Sequence, residues 1–241
     1  RAQRRLCAEG VPIFTWHYLG AAPAKAADPF LYVSAARFGE QLATLRAAGF
    51  CSASLDEVSE SAAGSRAVLT FDDGAVNVLR HGLAPLAEHG FRAIQFLVAG
   101  QLGGRNEWDT VHGAAPEPLM DAAQVREWLA AGHEIGSHSL THRNLTKLDE
   151  AGAREQIAAS KQRLEDTFGV PVRHFCYPHG QWNELVCALV AEAGYATACT
   201  MGFGVNTTAT PHHALCRIQP LSTGELLGKV VHRFGRRLRG G

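Results

Sequence analysis

Apolar residues along the chain fall into two alternating patterns. Short runs such as VPIFTWH (11–17), AVLTF (67–71) and the segment 92–98 are almost continuously apolar, as strands buried on both faces require. Longer segments between them carry apolar residues three and four positions apart. The clearest is 34–48, where Phe38, Leu42 and Leu45 form a stripe behind Ser34, a suitable helix cap, and Gly49 stops the run. The same pattern predicts helices over 76–89, 121–131, 149–168 and 183–193, the first three stopped by Gly90, Gly132 and Gly169, and a last helix from about Ser222. Further strands are predicted over 133–135, 174–176, 195–199 and 214–218. No repeat and no linker rich in Pro, Ser or charge interrupts the alternation. It predicts one α/β domain over 1–241, an irregular (β/α) barrel, with 1–10 and 233–241 as tails. The long irregular stretch 100–118 holds Trp108, Asp109 and His112, and loops of that length are commonly functional or disordered.

Composition narrows the classes. With 46% hydrophobic and 19% charged residues, the chain is not a disordered one. Lys plus Arg and Asp plus Glu both total 23, so no basic excess points to nucleic acid. The arginines near the ends (Arg1, Arg4, Arg5, Arg233, Arg236, Arg237, Arg239) read as solvated tails. No apolar run approaches the roughly 20 residues of a membrane span, and no signal-peptide pattern is present, although the chain begins at Arg1 rather than Met. Six scattered cysteines without a C-x-x-C pair read as buried thiols, which leans the expectation toward the cytoplasm.

Two clusters could carry chemistry. Thr70-Phe71-Asp72-Asp73-Gly74 places adjacent carboxylates at the end of an apolar strand, where burial is costly unless they are paired or bound to a cation. A turn at Gly74 would let one reach a metal while the other faces water; an Asx-capped turn is the structural alternative. His138-Ser139-Leu140-Thr141-His142 follows another short strand. Its histidines at i and i+4 would share one face of a helical turn and suit one divalent cation, or simply sit on the surface. One Asp and two His make a three-ligand site with positions left open, as catalytic sites have.

TFDDG (70–74) and HSLTH (138–142), with LMDAAQVREWLAAGHEIGSHSLTHRNLTKL (119–148), FCYPHGQW (175–182) and EAGYATA (192–198) in the same order, resemble the polysaccharide deacetylases. These form the nodulation-deacetylase homology domain, also called carbohydrate esterase family 4. The resemblance implies an irregular (β/α) barrel and metal-dependent hydrolysis of acetyl groups, usually N-acetyl on amino-sugar polymers. It implies that Asp73, His138 and His142 hold the metal and that Asp72 is the general base. Pro178 and Gly180 match a third motif whose backbone N–H, here that of His179, stabilises an oxyanion.

Departures from the family pattern move two roles. Many members carry Arg where this chain has Cys176, and Tyr where it has His179. The Arg normally holds the base, so Arg217 is the candidate replacement, as in a subgroup with a YPxG-like motif; a surface ion pair is the alternative. A late Leu-x-His supplies the general acid in many members, and His232 is a poor match. Another subgroup places that histidine in a first strand resembling VPxLxYH, which VPIFTWH matches with His17; packing beside Trp16 and Tyr18 is the alternative. Tyr177, Trp182 and Trp16 could stack on sugar rings or pack in the core.

The sequence therefore predicts a zinc (or Co, Ni or Mn) enzyme that removes N-acetyl groups from an amino-sugar polymer, oligomer or precursor. A metal-bound water is the expected nucleophile. Cys176 and His179 keep open a sugar-binding protein that has lost catalysis, and an O-acetyl esterase is a second alternative.

Overall fold

The computed structural model describes residues 10–26, 28–59, 65–112 and 116–220. The helix predicted from about Ser222, the arginine-rich ends, Cys7 and His232 lie outside the described residues. In chain order the elements are β1 (Ile13–Trp16), β2 (Tyr18–Leu19), β3 (Tyr32–Val33), α1 (Ala35–Ala47), β4 (Cys51–Ser52), β5 (Arg66–Phe71) and α2 (Val76–His89). They continue with β6 (Ile94–Leu97), α3 (Ala122–Ala130), β7 (Glu134–Ser137), α4 (Glu150–Phe168), β8 (His174–Cys176), α5 (Glu184–Glu192), β9 (Thr197–Phe203) and β10 (Leu215–Arg217).

The strands pair in parallel in the order β1-β5-β6-β7-β8-β9-β10, with β4 added to β5. The ring closes where the Thr15 N–H donates to the Ile218 carbonyl (3.0 Å) and the Ile218 N–H to that of Ile13 (2.7 Å). A register shift between β9 and β10 makes the barrel irregular. Helix limits follow local chemistry. Ser34, Asp149 and Asn183 each accept a backbone N–H at a helix start, and Asp121 with Gln124 forms a capping box. Gly90 and Gly169 end α2 and α4 in the left-handed conformation.

Strand periodicity divides the core in two. Ile13, Val68, Ile94, Phe96, Cys176, Cys199 and Leu215 form one apolar cluster that fills the inside of the ring. Their neighbours Phe14, Trp16, Leu69 and Phe71 belong to the layer beneath the helices, with Phe38 and Trp128. Moving along β1 and β5, the inward positions change from Ile13 and Val68 to Thr15 and Thr70, and then to His17 and Asp72. The interior thus turns polar toward the C-terminal ends of the strands, where (β/α) barrels place their reactive groups.

Several expectations need correction. The first strand stops at Trp16, and Tyr18–Leu19 pairs instead with Tyr32–Val33 in a separate two-stranded sheet. Two-residue strands carry too few positions for a hydrophobic period to show. The strand predicted over 133–135 lies at 134–137, and 195–199 extends to Phe203. Gly10, assigned to a tail, is buried against Asn206, to which Val11 is bridged. Of the described cysteines, all free thiols, only Cys176 and Cys199 are buried; Cys51 is exposed. Among the described residues no helix is long and apolar enough to cross a membrane.

Candidate active site

The end of β5 sets the two adjacent carboxylates apart. Asp72 keeps the inward phase of the strand, its N–H donating to the Trp16 carbonyl (3.0 Å). At Asp73 the chain turns sharply: φ is +72°, and the Gly74 N–H donates to the Asp72 carbonyl (2.9 Å), closing a three-residue γ-turn. A positive φ is strained for a residue with a Cβ. Gly74 follows at φ +87°, a conformation that residues with a Cβ rarely adopt and glycine takes without strain. Without the turn, Asp73 would point to the opposite face of the strand from Asp72. With it, both line one cleft of about 300 Å³.

Asp72 is fully paired. Arg217 donates from Nη1 to Oδ1 and from Nη2 to Oδ2, both at 2.7 Å, a bidentate fork. The guanidinium is itself held by the Thr200 carbonyl (2.9 Å) and Thr15 Oγ1 (2.9 Å). Burial alone would raise the Asp72 carboxyl, but the Arg217 charge and its hydrogen bonds hold it well below the usual carboxylate range. His17 Nε2 lies 3.7 Å from Asp72 Oδ2, and the Cys176 thiol donates to the same oxygen at 3.6 Å.

Asp73 is left incomplete on one side. Its Oδ2 accepts the Tyr18 hydroxyl at 2.8 Å, while Oδ1 is buried with no hydrogen-bond partner. That oxygen faces His138 Nε2 (3.6 Å) and His142 Nε2 (3.4 Å). His138 Nδ1 sits 2.8 Å from the Cys176 carbonyl, which can only accept; the proton is therefore on Nδ1 and the Nε2 lone pair points at Asp73. The two histidines do not share a helical face, as the sequence suggested. His138 ends the β7 ladder, and a tight turn with Ser139 at φ +66° and His142 at φ +59° brings the second ring back. The His142 N–H donates to Ser139 Oγ (3.1 Å), a local side-chain bond that competes with helix here.

These three residues fit a divalent cation. Donors about 2.0–2.1 Å from a tetrahedral zinc stand roughly 3.4 Å apart, which matches the separations from Asp73 Oδ1. Burial pushes Asp73 up to about 6 and His138 down to about 4, with His142 well below its ordinary value. The imidazoles are thus neutral donors at neutral pH, beside a carboxylate that burial leaves short of countercharge. A second trio, Asp72, His138 and Cys176, also lies close together. It does not fit: both Asp72 oxygens are held by Arg217, and burial raises the Cys176 thiol well above its ordinary value.

The model of the polysaccharide deacetylase family matches residues 60–198, more than half of the chain. The chain belongs to the polysaccharide deacetylase family. It is 29% identical over 145 residues to a chitooligosaccharide deacetylase of Sinorhizobium fredii, covering 59% of this chain and 60% of that one. This chain spans less than two thirds of the length of the curated relatives it matches, 55% and 60% in two of them. Among solved structures, the deacetylase PplD of Streptococcus pyogenes, determined with acetate, superposes with a TM-score of 0.79 at 22% identity. That match covers 92% of this chain and 98% of the other. IcaB from Ammonifex degensii gives 0.79 at 21% identity over 95% and 98%. At such identities the structures show the shared fold.

His17 and Arg217 both fall outside the segment that the deacetylase family model matches, yet the barrel brings them to the same carboxylate as the family motifs. Pro178 opens a turn in which His179 and Gly180 are left-handed, at φ +58° and +66°. The turn is closed by the Gly180 N–H donating to the Tyr177 carbonyl (2.8 Å) and the Gln181 N–H to that of Pro178 (3.2 Å), bonds in which the His179 N–H takes no part. The His179 ring packs 4.6 Å from that of His142 in the cleft wall. The loop 100–118 also contributes: Trp108 stacks on the His142 ring at 4.2 Å, and Asp109 lines the cleft.

The three aromatic candidates fare differently. Trp16 is buried in the layer under the helices, its indole N–H donating to Gln41 Oε1 (3.0 Å), and it cannot meet a sugar; the outward phase of β1 puts it there. Tyr177 borders the cleft, but its ring is fully buried and its hydroxyl donates to the His213 carbonyl (2.9 Å). Trp182 is exposed beside Tyr177, outside the cleft lining. Sequence reasoning gave no site role to Tyr18, to Asn106, or to Met201, which lines the cleft and accepts at Sδ from Arg217 Nη2 (3.2 Å). A tyrosine directly after a candidate catalytic histidine was the available signal for the first.

Proposed function

We propose that this protein is a metal-dependent deacetylase that hydrolyses N-acetyl groups on an amino-sugar polymer, oligomer or precursor. The division of labour between Asp72 and Asp73 carries the reading: one carboxylate is locked to an arginine, and its neighbour offers a bare oxygen beside two imidazole Nε2 atoms. Kinship with a chitooligosaccharide deacetylase and a chitin deacetylase supports a saccharide substrate. Asp73, His138 and His142 would hold the cation, zinc by preference of the donor set, with Co, Ni or Mn also suited. When bound, the cation supplies Lewis acidity toward a water and an acetyl carbonyl.

The remaining work belongs to the chain's own side chains. Asp72, kept anionic by Arg217, is always in the accepting form and takes a proton from the attacking water. It is a weak base, which suits an acidified water rather than an ordinary one. The His179 N–H donates to the oxygen of the tetrahedral species. His17, 3.7 Å from Asp72 Oδ2, protonates the departing nitrogen, and acetate and a free amine leave. The bidentate Asp72–Arg217 pair argues against a purely sugar-binding role, because the charge missing at Cys176 is restored from β10.

Acetate release from N-acetylglucosamine oligomers, measured before and after chelation, tests the reading. Release that is lost with chelator and restored by Zn is expected. Release from O-acetylated sugars alone would make the protein an esterase. Saccharide binding without any acetate would make it a binding protein.

A further inference from the structure

Tyr18 is buried with its hydroxyl in a polar box formed by Asp73, Asn106 and Asp109. Its oxygen lies 2.8 Å from Asp73 Oδ2, 3.3 Å from Asp109 Oδ2 and 2.9 Å from Asn106 Nδ2. A phenol has one proton to give, so its destination depends on its neighbours. The orientation of Asn106 decides. The Glu117 backbone N–H donates to Asn106 Oδ1, which fixes that atom as the acceptor and turns the amide nitrogen toward the barrel. The two Nδ2 protons then go to Tyr18 Oη and to Asp109 Oδ2 (2.8 Å). Of the two carboxylate oxygens, Asp73 Oδ2 at 2.8 Å is nearer than Asp109 Oδ2 at 3.3 Å, and the phenolic proton goes to Asp73.

We infer that Tyr18, oriented by Asn106 from the loop 100–118, is a positioning residue that restricts Asp73 to one donor oxygen. The inference rests on the metal-site reading above. A carboxylate can bind a cation through one oxygen or both. With Oδ2 engaged by the phenol, only Oδ1 is free to face His138 and His142. That keeps the protein ligand set at three atoms and leaves coordination positions for water and substrate. The loop's own polar contacts set the direction of the hydrogen bonds, so it acts on the ligand without touching the cation. Partners of this kind typically change metal affinity by about 10–100-fold.

Tyr18→Phe removes the hydroxyl alone, and Tyr32→Phe is its control. Tyr32 anchors the same loop through Glu117 Oε1 (2.9 Å), and its ring, which the substitution keeps, packs 4.7 Å from that of Tyr18. Zn affinity would be measured by chelator competition, coordination by the visible absorption of the Co-loaded protein, and folding by the melting temperature of the metal-free form. Tyr18→Phe should weaken Zn binding by about 10–100-fold and lower the Co extinction, as the freed Oδ2 raises the coordination number. Tyr32→Phe should leave affinity and spectrum unchanged. Equal shifts in both variants would reduce Tyr18 to a loop anchor, and an unchanged affinity and spectrum in Tyr18→Phe would overturn the inference. If Tyr18→Phe does not fold, Asn106→Ala frees the phenol to turn to Asp109; a loss of several-fold in affinity is expected, and none would overturn the inference. A wild-type chain that binds no Zn or Co would instead refute the metal site itself.

Discussion

Two aspartate–arginine forks stand at opposite ends of the barrel. Asp56 and Arg173, before β8, pair at 2.9 and 3.0 Å on the surface at the N-terminal end of the strands. Asp72 and Arg217, at the C-terminal end, pair at 2.7 Å in both arms and are sealed from solvent. The chemistry is the same and the consequence is not. In water the pair is screened and adds little. Inside the barrel neither charge tolerates losing the other. The same end of the barrel also holds every non-glycine residue with positive φ among those described: Asp73, Ser139, His142 and His179. Strained backbone and unmatched polar atoms collect where a ligand would complete them.

The largest expected effect comes from the unmatched end. A His138→Ala, His142→Ala double variant should lose essentially all divalent metal, read by elemental analysis, while His89→Ala retains it. Full occupancy in the double variant would remove these residues from the site. Asp72→Asn should keep the metal and lower turnover by about 10²–10⁴, since its shape remains and its proton acceptor is gone. His17→Ala should cost a similar factor on amides, where the amine needs a proton to leave, and little on nitrophenyl acetate, whose phenolate leaves unaided. Equal losses on both substrates would show that His17 only packs.

The forks themselves separate at the next level. Arg217→Ala strands a buried carboxylate and should cost about 3–5 kcal/mol in denaturant melts. Burial is then the dominant influence on Asp72, so its pKa rises and the acid limb of the pH–rate profile moves to higher pH. An unmoved limb would mean that another group is titrating. In the wild type, the depressed Asp72 contributes stability above the ordinary carboxylate pKa of about 4, and that contribution fades as pH falls through and below it. Arg173→Ala, the smallest effect, should leave the melting temperature close to wild type; a large drop would mean that the surface fork is coupled to the core.

Much of this was legible in the sequence because it rests on local rules. All the described α-helices but 76–89 start at capping side chains, and 76–89 and 174–176 are found as the pattern places them. Asp72, Asp73, His138, His142, His17 and Arg217 could be named because their motifs are short and ordered, and the barrel does bring them to one cleft or its floor. What failed depended on geometry beyond the local period. Trp16 and His17 are neighbours in sequence and alternate between core layer and cleft, which a short apolar run cannot reveal. The i, i+4 spacing of the histidines suggested a helix, but Ser139 and His142 adopt left-handed backbone. The link from Tyr18 to Asn106 joins residues 88 apart through a loop without hydrophobic pattern.

The placement of Arg217 has a temporal consequence. An arginine at position 176 would come from a strand in the middle of the chain, whereas Arg217 is 145 positions beyond Asp72 on the last strand of the ring. A chain lacking β10 still contains the motifs at 70–74, 138–142 and 175–182, but Asp72 has no arginine to pair with. The countercharge of Asp72 therefore arrives only with the last described strand, so the electrostatic completion of this end of the barrel waits on the closing of the ring.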